Sequence, residues 1–330
     1  MDTISEQAIT DVKKKMKEIK AEIGRFIVGQ DEVLNQLLWG IFAQGHVLLE
    51  GLPGLGKTML VRKISEVMNL QFSRVQFTPD LMPTDITGTN MIQPNESGGQ
   101  SFEFYEGPLF SNIVLADEVN RATPKTQSAL LEAMGEKTVT VMGEMRKLPS
   151  PFFVLATQNP VELEGTYPLP EAQMDRFIMK INVAYPSRDE LREIAKRTTS
   201  PTQVGLEKLM DAAFVLEVQE MAKHILVADS VLDYAVNVIM ATHPGDSHAS
   251  EQINQYVQYG SGPRGLQSII AVAKVRALFD GRYNVSIGDI KEVACPVLRH
   301  RVFLNFEGEA AEVKPEDLIN GLLTLIEERS

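Results

Sequence analysis

Residues 51–58 read Gly51-Leu52-Pro53-Gly54-Leu55-Gly56-Lys57-Thr58, which satisfies the pattern G-x-x-x-x-G-K-[ST]. In front of this octapeptide stands His46-Val47-Leu48-Leu49-Glu50, an apolar run with the look of a buried strand, and behind it residues 58–68 carry helical periodicity. Strand, glycine-rich loop and helix in that order form the setting in which such a loop binds phosphate. The glycines let backbone N–H groups wrap the phosphates, and the helix N-terminus adds its dipole. Lys57 reaches the β- and γ-phosphates, Thr58 is placed to hold Mg²⁺, and the binding loop is taken to extend through Met59. The bland alternative is a glycine-rich turn with no ligand.

Further apolar runs at 72–77, 113–116 and 152–156 alternate with helix-type segments at 58–68 and 123–134. This alternation predicts an α/β domain with a mainly parallel sheet, a three-layer αβα arrangement. Two segments interrupt it. Residues 88–108 carry a polar Gly/Asn/Pro centre between strand-like flanks, and residues 137–151 read strand, Met-Gly-Glu turn, strand, so both are expected to be inserted β-hairpins. Residues 5–24 form an amphipathic first helix, and a second helix is expected at 31–42. After Tyr185-Pro186 the strands are expected to stop. Ser187-Arg188-Asp189-Glu190 has the capping-box form S-x-x-E, which sets a domain boundary near 186. Helices are expected at 187–199, 205–224, 229–242, 264–280, 286–297 and 315–328, so the chain divides into 1–186, an N-terminal helix plus nucleotide domain, and 187–330, an all-α lid.

Composition narrows the function classes. At 330 residues the chain has room for roughly two domains. Its net charge of −12 is shared evenly by residues 1–185 and 186–330, which argues against a dedicated nucleic-acid or anionic-membrane surface. A single cysteine, Cys295, excludes an intrachain disulfide and a multi-thiolate zinc site and fits a reducing, cytoplasmic setting. The N-terminal segment lacks a signal-peptide core, and no window reaches the ~20 apolar residues of a membrane span.

Two more strand ends carry chemistry. Ile113-Val114-Leu115-Ala116-Asp117-Glu118 is an apolar strand ending in two carboxylates; beside a phosphate loop, Asp117 is assigned to the Mg²⁺ shell and Glu118 to polarising the attacking water. The alternative is a helix-capping acidic pair. The strand at 152–156 runs into Thr157-Gln158-Asn159, whose Asn159 amide is placed to orient that water. His243 and His248 are read as ordinary loop residues, Trp39 as core, Cys295 as a buried thiol, and His300 as a packing or hydrogen-bonding residue, while Asn120 and Arg121 stay open between the nucleotide site and a neighbouring subunit.

The chain resembles the MoxR family of AAA+ ATPases over nearly its whole length. The motifs that carry the resemblance are Ile27-Val28-Gly29-Gln30, the loop at 51–58, QFTPDLMPTDITG at 76–88, LADEVNRA at 115–122, ATQNPVELEGTYPLPEAQMDRF at 156–177, GPRG at 262–265 and LRHR at 298–301. The resemblance implies that Val28 and Gly29 lie near the adenine, that Asn159 is the sensor 1 residue, that Arg176 is the arginine finger for a neighbouring subunit's ATP and that Arg264 is sensor 2. It also implies a sheet order of 5-1-4-3-2 and hairpins that face a central pore. The reading without the family is a surface ion pair of Arg176 with Asp175 or Glu171, and a plain helix start at Arg264. The function expected is Mg²⁺-dependent ATP hydrolysis by a ring, a hexamer by resemblance, that remodels, assembles or activates a client protein, in some relatives one bearing a von Willebrand factor A domain. The rivals are a nucleic-acid motor, an ATPase subunit of a metal chelatase and a nucleotide-gated switch without turnover. The hairpin at 88–108 carries Glu96, Glu103 and Glu106 and no Lys or Arg, which makes it a poor phosphate ligand.

Overall fold

The apolar runs at 46–50, 113–117 and 153–158 become strands because each is buried on both faces, whereas the run at 72–77 forms an edge strand that buries only Val75 within 72–76. The computed structural model describes residues 5–94, 100–158, 166–199 and 205–329. Helices α1 (Glu6–Gly24) and α2 (Asp31–Phe42) precede strand β1 (His46–Glu50), which leads into α3 (Lys57–Val67) and β2 (Phe72–Gln76). Short α4 (Pro83–Thr87) is followed by the hairpin β3 (Gly88–Pro94) and β4 (Gln100–Glu106), then β5 (Ile113–Asp117) and α5 (Pro124–Glu136). The second hairpin, β6 (Thr138–Val141) and β7 (Glu144–Lys147), precedes β8 (Phe153–Gln158), α6 (Glu171–Met174) and β9 (Phe177–Asn182).

Five of these strands form one sheet in the order β2-β5-β8-β1-β9, every neighbour pair parallel. Numbered within the sheet, that is the 5-1-4-3-2 order implied by the resemblance. Side chains alternate between the faces with period two. Val47, Leu49, Ile113, Leu115, Phe153 and Leu155 face one core, while Leu48, Val114, Ala116, Val154 and Ala156 face another built largely with α5 and the second hairpin. A parallel sheet covered on both sides therefore reads as unbroken hydrophobic runs. Strand β9 is an addition to the strands expected from the apolar runs: Lys180 and Asn182 interrupt its apolar character, and it pairs only with β1.

Helix α1 begins as its sequence predicts. Ser5 Oγ accepts from Ala8 N at 3.1 Å, and Ile9, Val12, Met16, Ile19 and Ile23 are all buried. The core they enter continues into the C-terminal helices through Val272, Val275, Ile290 and Leu298. Those helices are α7 (Arg188–Thr199), α8 (Ala212–Lys223), α9 (Asp229–Met240), α10 (Glu251–Tyr256), α11 (Pro263–Phe279), α12 (Ile287–Leu298), α13 (Phe306–Ala310) and α14 (Pro315–Arg329). The capping box holds, with Ser187 N donating to Glu190 Oε2 at 2.6 Å and Glu190 N to Ser187 Oγ at 3.3 Å.

Two expectations for this half need correction. The helix expected from 205 starts only at Ala212, because Leu209 N and Met210 N donate to Val67 O at the end of α3 and Asp211 caps the helix through Phe214 N. Strands also do not stop at 186: β10 (Val257–Tyr259) and β11 (Phe303–Leu304) form a short antiparallel pair. Both inserted hairpins are present, and they touch: Asn90 Nδ2 lies 3.3 Å from Met142 Sδ, and the Arg146 guanidinium sits 3.9 Å above the Phe104 ring.

His46 opens β1 with both ring nitrogens engaged. Nε2 donates to Met134 O and Nδ1 accepts from Val154 N, each at 3.0 Å, which fixes the neutral tautomer. Burial pulls its pKa down to about 4, so the folded state resists a proton that the unfolded chain accepts near 6.5. The His46 contribution is fully present above pH 6.5 and fades as pH falls toward 4. Replacing it by glutamine removes that titration. The stability gap between wild type and His46→Gln, measured by urea unfolding, is expected to narrow by about 1 kcal/mol between pH 7.5 and 5.5. A gap that does not change with pH would refute the assignment.

Candidate functional site

At the carboxyl end of β1 the chain turns through residues 51–56 into α3. Gly54 and Gly56 adopt φ of 84° and 77°, a region that a side chain rarely enters, and this aims the loop and the start of α3 at a common space. That space is a cavity of about 400 Å³ lined by Pro53, Gly54, Leu55, Gly56, Lys57, Thr58 and Met59 on one side. Arg74, Gln76, Asp117, Glu118, Thr157 and Gln158 line the other. Three strand ends thus meet the loop at the carboxyl edge of the sheet, where chain order reverses around β1 and open α/β sheets bind their ligands.

The polar groups here are held by one another. Lys57 Nζ donates to Gly51 O at 2.6 Å, and burial lowers its pKa from the ordinary lysine value, with Asp117, Glu118 and Glu50 opposing. Thr157 Oγ1 donates to Asp117 Oδ1 at 2.5 Å and accepts from Glu118 N at 2.8 Å, so one hydroxyl fixes both acidic residues. Glu118 itself sits at φ 57°, ψ 50°, a left-handed conformation that costs a non-glycine residue ~1–3 kcal/mol and recurs at functional sites. Its Oε2 accepts from Gln76 Nε2 at 2.9 Å and from Arg121 at 3.3 Å. Arg74 reaches Asp117 Oδ2 through Nε at 3.1 Å and through a terminal nitrogen at 2.7 Å.

The sequence reading did not single out Arg74 and Gln76. The available signal was their spacing: two polar residues at alternate positions of a strand whose Val75 is buried on the other face, with Gln76 paired to Asp117 in register. Of the remaining predicted residues, Asn159 lies outside the described residues. Gly51 contributes its carbonyl to Lys57, and Leu52 is exposed beside the loop. Val28 and Gly29 do not line this cavity; the segment is tied to it by Gln30 Nε2, which donates to Leu55 O at 2.8 Å. Gly29 has φ 71° and packs directly against the Glu190 side chain, leaving no room for a Cβ. Asn120 is buried and its carbonyl accepts from Tyr167 N, while Trp39 is buried in the core as expected. His300 is buried with Nε2 donating to Phe177 O, and burial and Arg301 hold its pKa well below the usual histidine value.

Arg176 and Arg264 occupy a second cavity, about 450 Å³, with Gly45, His46, Met134, Gly135, Asp175 and Arg301 in its wall. It opens at the amino ends of β1 and β9, the edge of the sheet opposite the phosphate loop. Arg176 donates to Leu131 O at 2.7 Å. Of its two expected alternative partners, Asp175 is engaged instead by Arg301 at 2.7 Å and Arg264 at 3.6 Å, and Glu171 accepts from the Tyr259 hydroxyl. Arg264 therefore does not line the cavity of its own phosphate loop.

Among the described residues no cluster of His, Cys, Asp or Glu forms a ready metal site, and no helix is long and apolar enough to cross a membrane. The donor set of the first cavity still suits a nucleotide and a hard divalent ion: a lysine, a threonine hydroxyl, an aspartate and a helix N-terminus converge on it.

Comparison with known proteins identifies the family. Residues 46–179 match the model of the ATPase family associated with various cellular activities (AAA), and residues 250–321 match an AAA lid domain. The chaperone MoxR1 of Mycobacterium tuberculosis is 45% identical over 92% of this chain and 80% of its own length. The MoxR protein of Methylorubrum extorquens is 30% identical over 96% of both chains. A crystal structure of an ATPase candidate from Cytophaga hutchinsonii, 42% identical, superposes with a TM-score of 0.89 over 96% of this chain and 95% of that one. With a phosphate loop, a paired acidic strand end, a lid and relatives aligned over almost the full length, the chain belongs to the MoxR family of AAA+ ATPases.

Proposed function

We propose that this ATPase works as a ring whose active sites are completed between subunits, and that Mg²⁺-dependent hydrolysis there drives remodelling of a client protein. The observation that carries the reading is the separation of the two cavities. They share no lining residue, and β1, five residues long, spans the sheet between them, roughly 13 Å at the usual rise per residue. An arginine at the amino edge is thus remote from its own phosphate loop, whereas a neighbour's loop can be brought to it by assembly. Phosphoryl transfer needs positive charge on the γ-phosphate in the transition state, worth about 10³–10⁵ in rate when supplied by an arginine in trans. In this reading Arg176 is that finger and Arg264 acts beside it on the same neighbouring nucleotide.

Within its own subunit the loop backbone and Lys57 bind the phosphates. Thr58 and Asp117 would hold the Mg²⁺ ion, whose chemistry when bound is to neutralise charge building on the β- and γ-phosphate oxygens. Glu118 accepts a proton from, or polarises, the attacking water. Asn159 serves as a second water-orienting group, and Val28 and Gly29 border the adenine. The catalytic unit comprises residues 1–186 and the lid 187–330.

For the client we favour protein over nucleic acid. The touching hairpins expose Met91, Ile92, Phe102, Met142 and Met145, with Phe102 70% and Met142 75% accessible. Flexible methionines adapt to varied apolar partners, while phosphate would need cations that this surface lacks in number. A von Willebrand factor A domain protein is the first bait to try.

Lys57→Ala is expected to lose ATP binding, and Glu118→Gln to bind ATP yet fail to turn it over. Nucleotide titration by calorimetry and a phosphate-release assay distinguish the two; near-normal affinity in the first variant, or turnover within a few-fold in the second, would remove that residue from its role.

For the trans finger, Arg176→Ala should bind ATP normally and hydrolyse it poorly. Adding Lys57→Ala subunits, which are dead at their own site but carry an intact Arg176, should restore part of the activity. No recovery despite demonstrated subunit exchange would return Arg176 to a structural role within its own subunit.

A further inference from the structure

Arg301 follows helix α12 in the C-terminal half, yet four of its six side-chain hydrogen bonds run to the segment that carries Arg176. Its side chain is 2% exposed. Nε donates to Asp175 Oδ1 at 2.7 Å. One terminal nitrogen donates to Ile178 O at 3.1 Å and Val297 O at 2.5 Å; the other donates to Asp175 O at 3.1 Å, Phe177 O at 2.8 Å and Ser268 Oγ at 3.3 Å. All three guanidinium nitrogens are engaged, and the carbonyls of residues 175, 177 and 178 are gripped immediately before and after residue 176.

The local backbone explains why such a grip is needed. β9 is an edge strand, and its register with β1 shifts between His46 and Val47, so that Phe177 pairs with His46 while Met179 pairs with Val47. This irregularity at Ile178 leaves successive carbonyls outside the ladder, and Arg301 with His300 Nε2 takes them up. Asp175 is shared with Arg264 at 3.6 Å, so the same carboxylate ties Arg301 to the second arginine of the cavity.

We infer that Arg301 is a positioning residue for the arginine finger: from the lid side, it locks the backbone on either side of Arg176 and, through Asp175, keeps Arg176 and Arg264 in one constellation. The inference rests on the trans-finger reading above. Arg301 touches no reacting atom. Its effect should fall on the neighbour's hydrolysis and leave nucleotide binding in its own subunit alone, because it lines only the amino-edge cavity. A misplacement of ~1 Å in such a group costs about 10²-fold in rate.

The test is Arg301→Lys, which keeps the charge and loses the planar fork, made in the full-length chain. The expected result is a kcat lowered about 10- to 100-fold with the affinity for a fluorescent ADP analogue within about twofold of wild type. Combined with Arg176→Ala, it should lower kcat no further, since a positioning residue has nothing left to position. Mixed with Lys57→Ala subunits it should recover activity as Arg176→Ala does. Recovery with Arg176→Ala but not with Arg301→Lys, or a double variant whose loss is the product of the single losses, overturns the role of Arg301 alone. Recovery with neither overturns the trans reading and this inference with it. Should Arg301→Lys fail to fold, Asp175→Asn, which keeps the shape and removes the carboxylate charge, is expected to reproduce the same kcat loss, the same affinity and the same recovery, and the same contrary results overturn the inference.

Discussion

The polar groups around the loop at 51–58 depend on a sheet whose central strands are dry on both faces. Strands β1, β5 and β8 run apolar until their ends at Glu50, Asp117 and Gln158, and pairing them in parallel places those ends together. Buried charges are costly unless paired, so the carboxylates can exist only where the sheet stops and other polar groups meet them. Thr157 holds the Asp117 carboxylate and the Glu118 backbone N–H at once, Arg74 and Gln76 reach the two carboxylates from β2, and Arg121 reaches Glu118 from the following turn. The strained backbone at Glu118 is tolerated because that hydrogen bonding over-determines it.

The same sheet separates two kinds of chemistry. Its carboxyl edge gathers a lysine, a helix N-terminus and two carboxylates, and its amino edge gathers Arg176 beside an aspartate paired with Arg264 and Arg301. In the ring proposed above, the amino edge of one subunit would meet the carboxyl edge of the next, a heterologous contact repeated by rotation.

The helical half is bound to this arrangement by shared packing and by a few buried ions. Helix α1 enters the same core as α11 and α12. Within that half, fully buried Asp289 is held by Arg276, Arg282 and Ser286, and although burial alone would raise its pKa, these partners bring it down to about 2. Arg301 with Asp175 is the corresponding link across to the start of β9, which makes the helical half a mechanical part of the surroundings of Arg176.

Local patterns in the chain determined a good deal. The loop at 51–58, the strands at β1, β5 and β8, the capped start of α1, the capping box at Ser187 and both hairpins are readable because each is specified within a few residues by burial period, turn chemistry or cap geometry. Arg74 and Gln76 were not assigned, because a polar residue in a strand takes its meaning from the strand beside it, and β5 lies about forty positions away. β9 was hidden by its polar interruptions and became a strand through pairing with β1. The placement of Arg176 and Arg264 at one edge and Lys57 at the other was likewise decided by tertiary structure. It follows from the direction in which parallel strands traverse the sheet, a vector that no spacing along the chain contains.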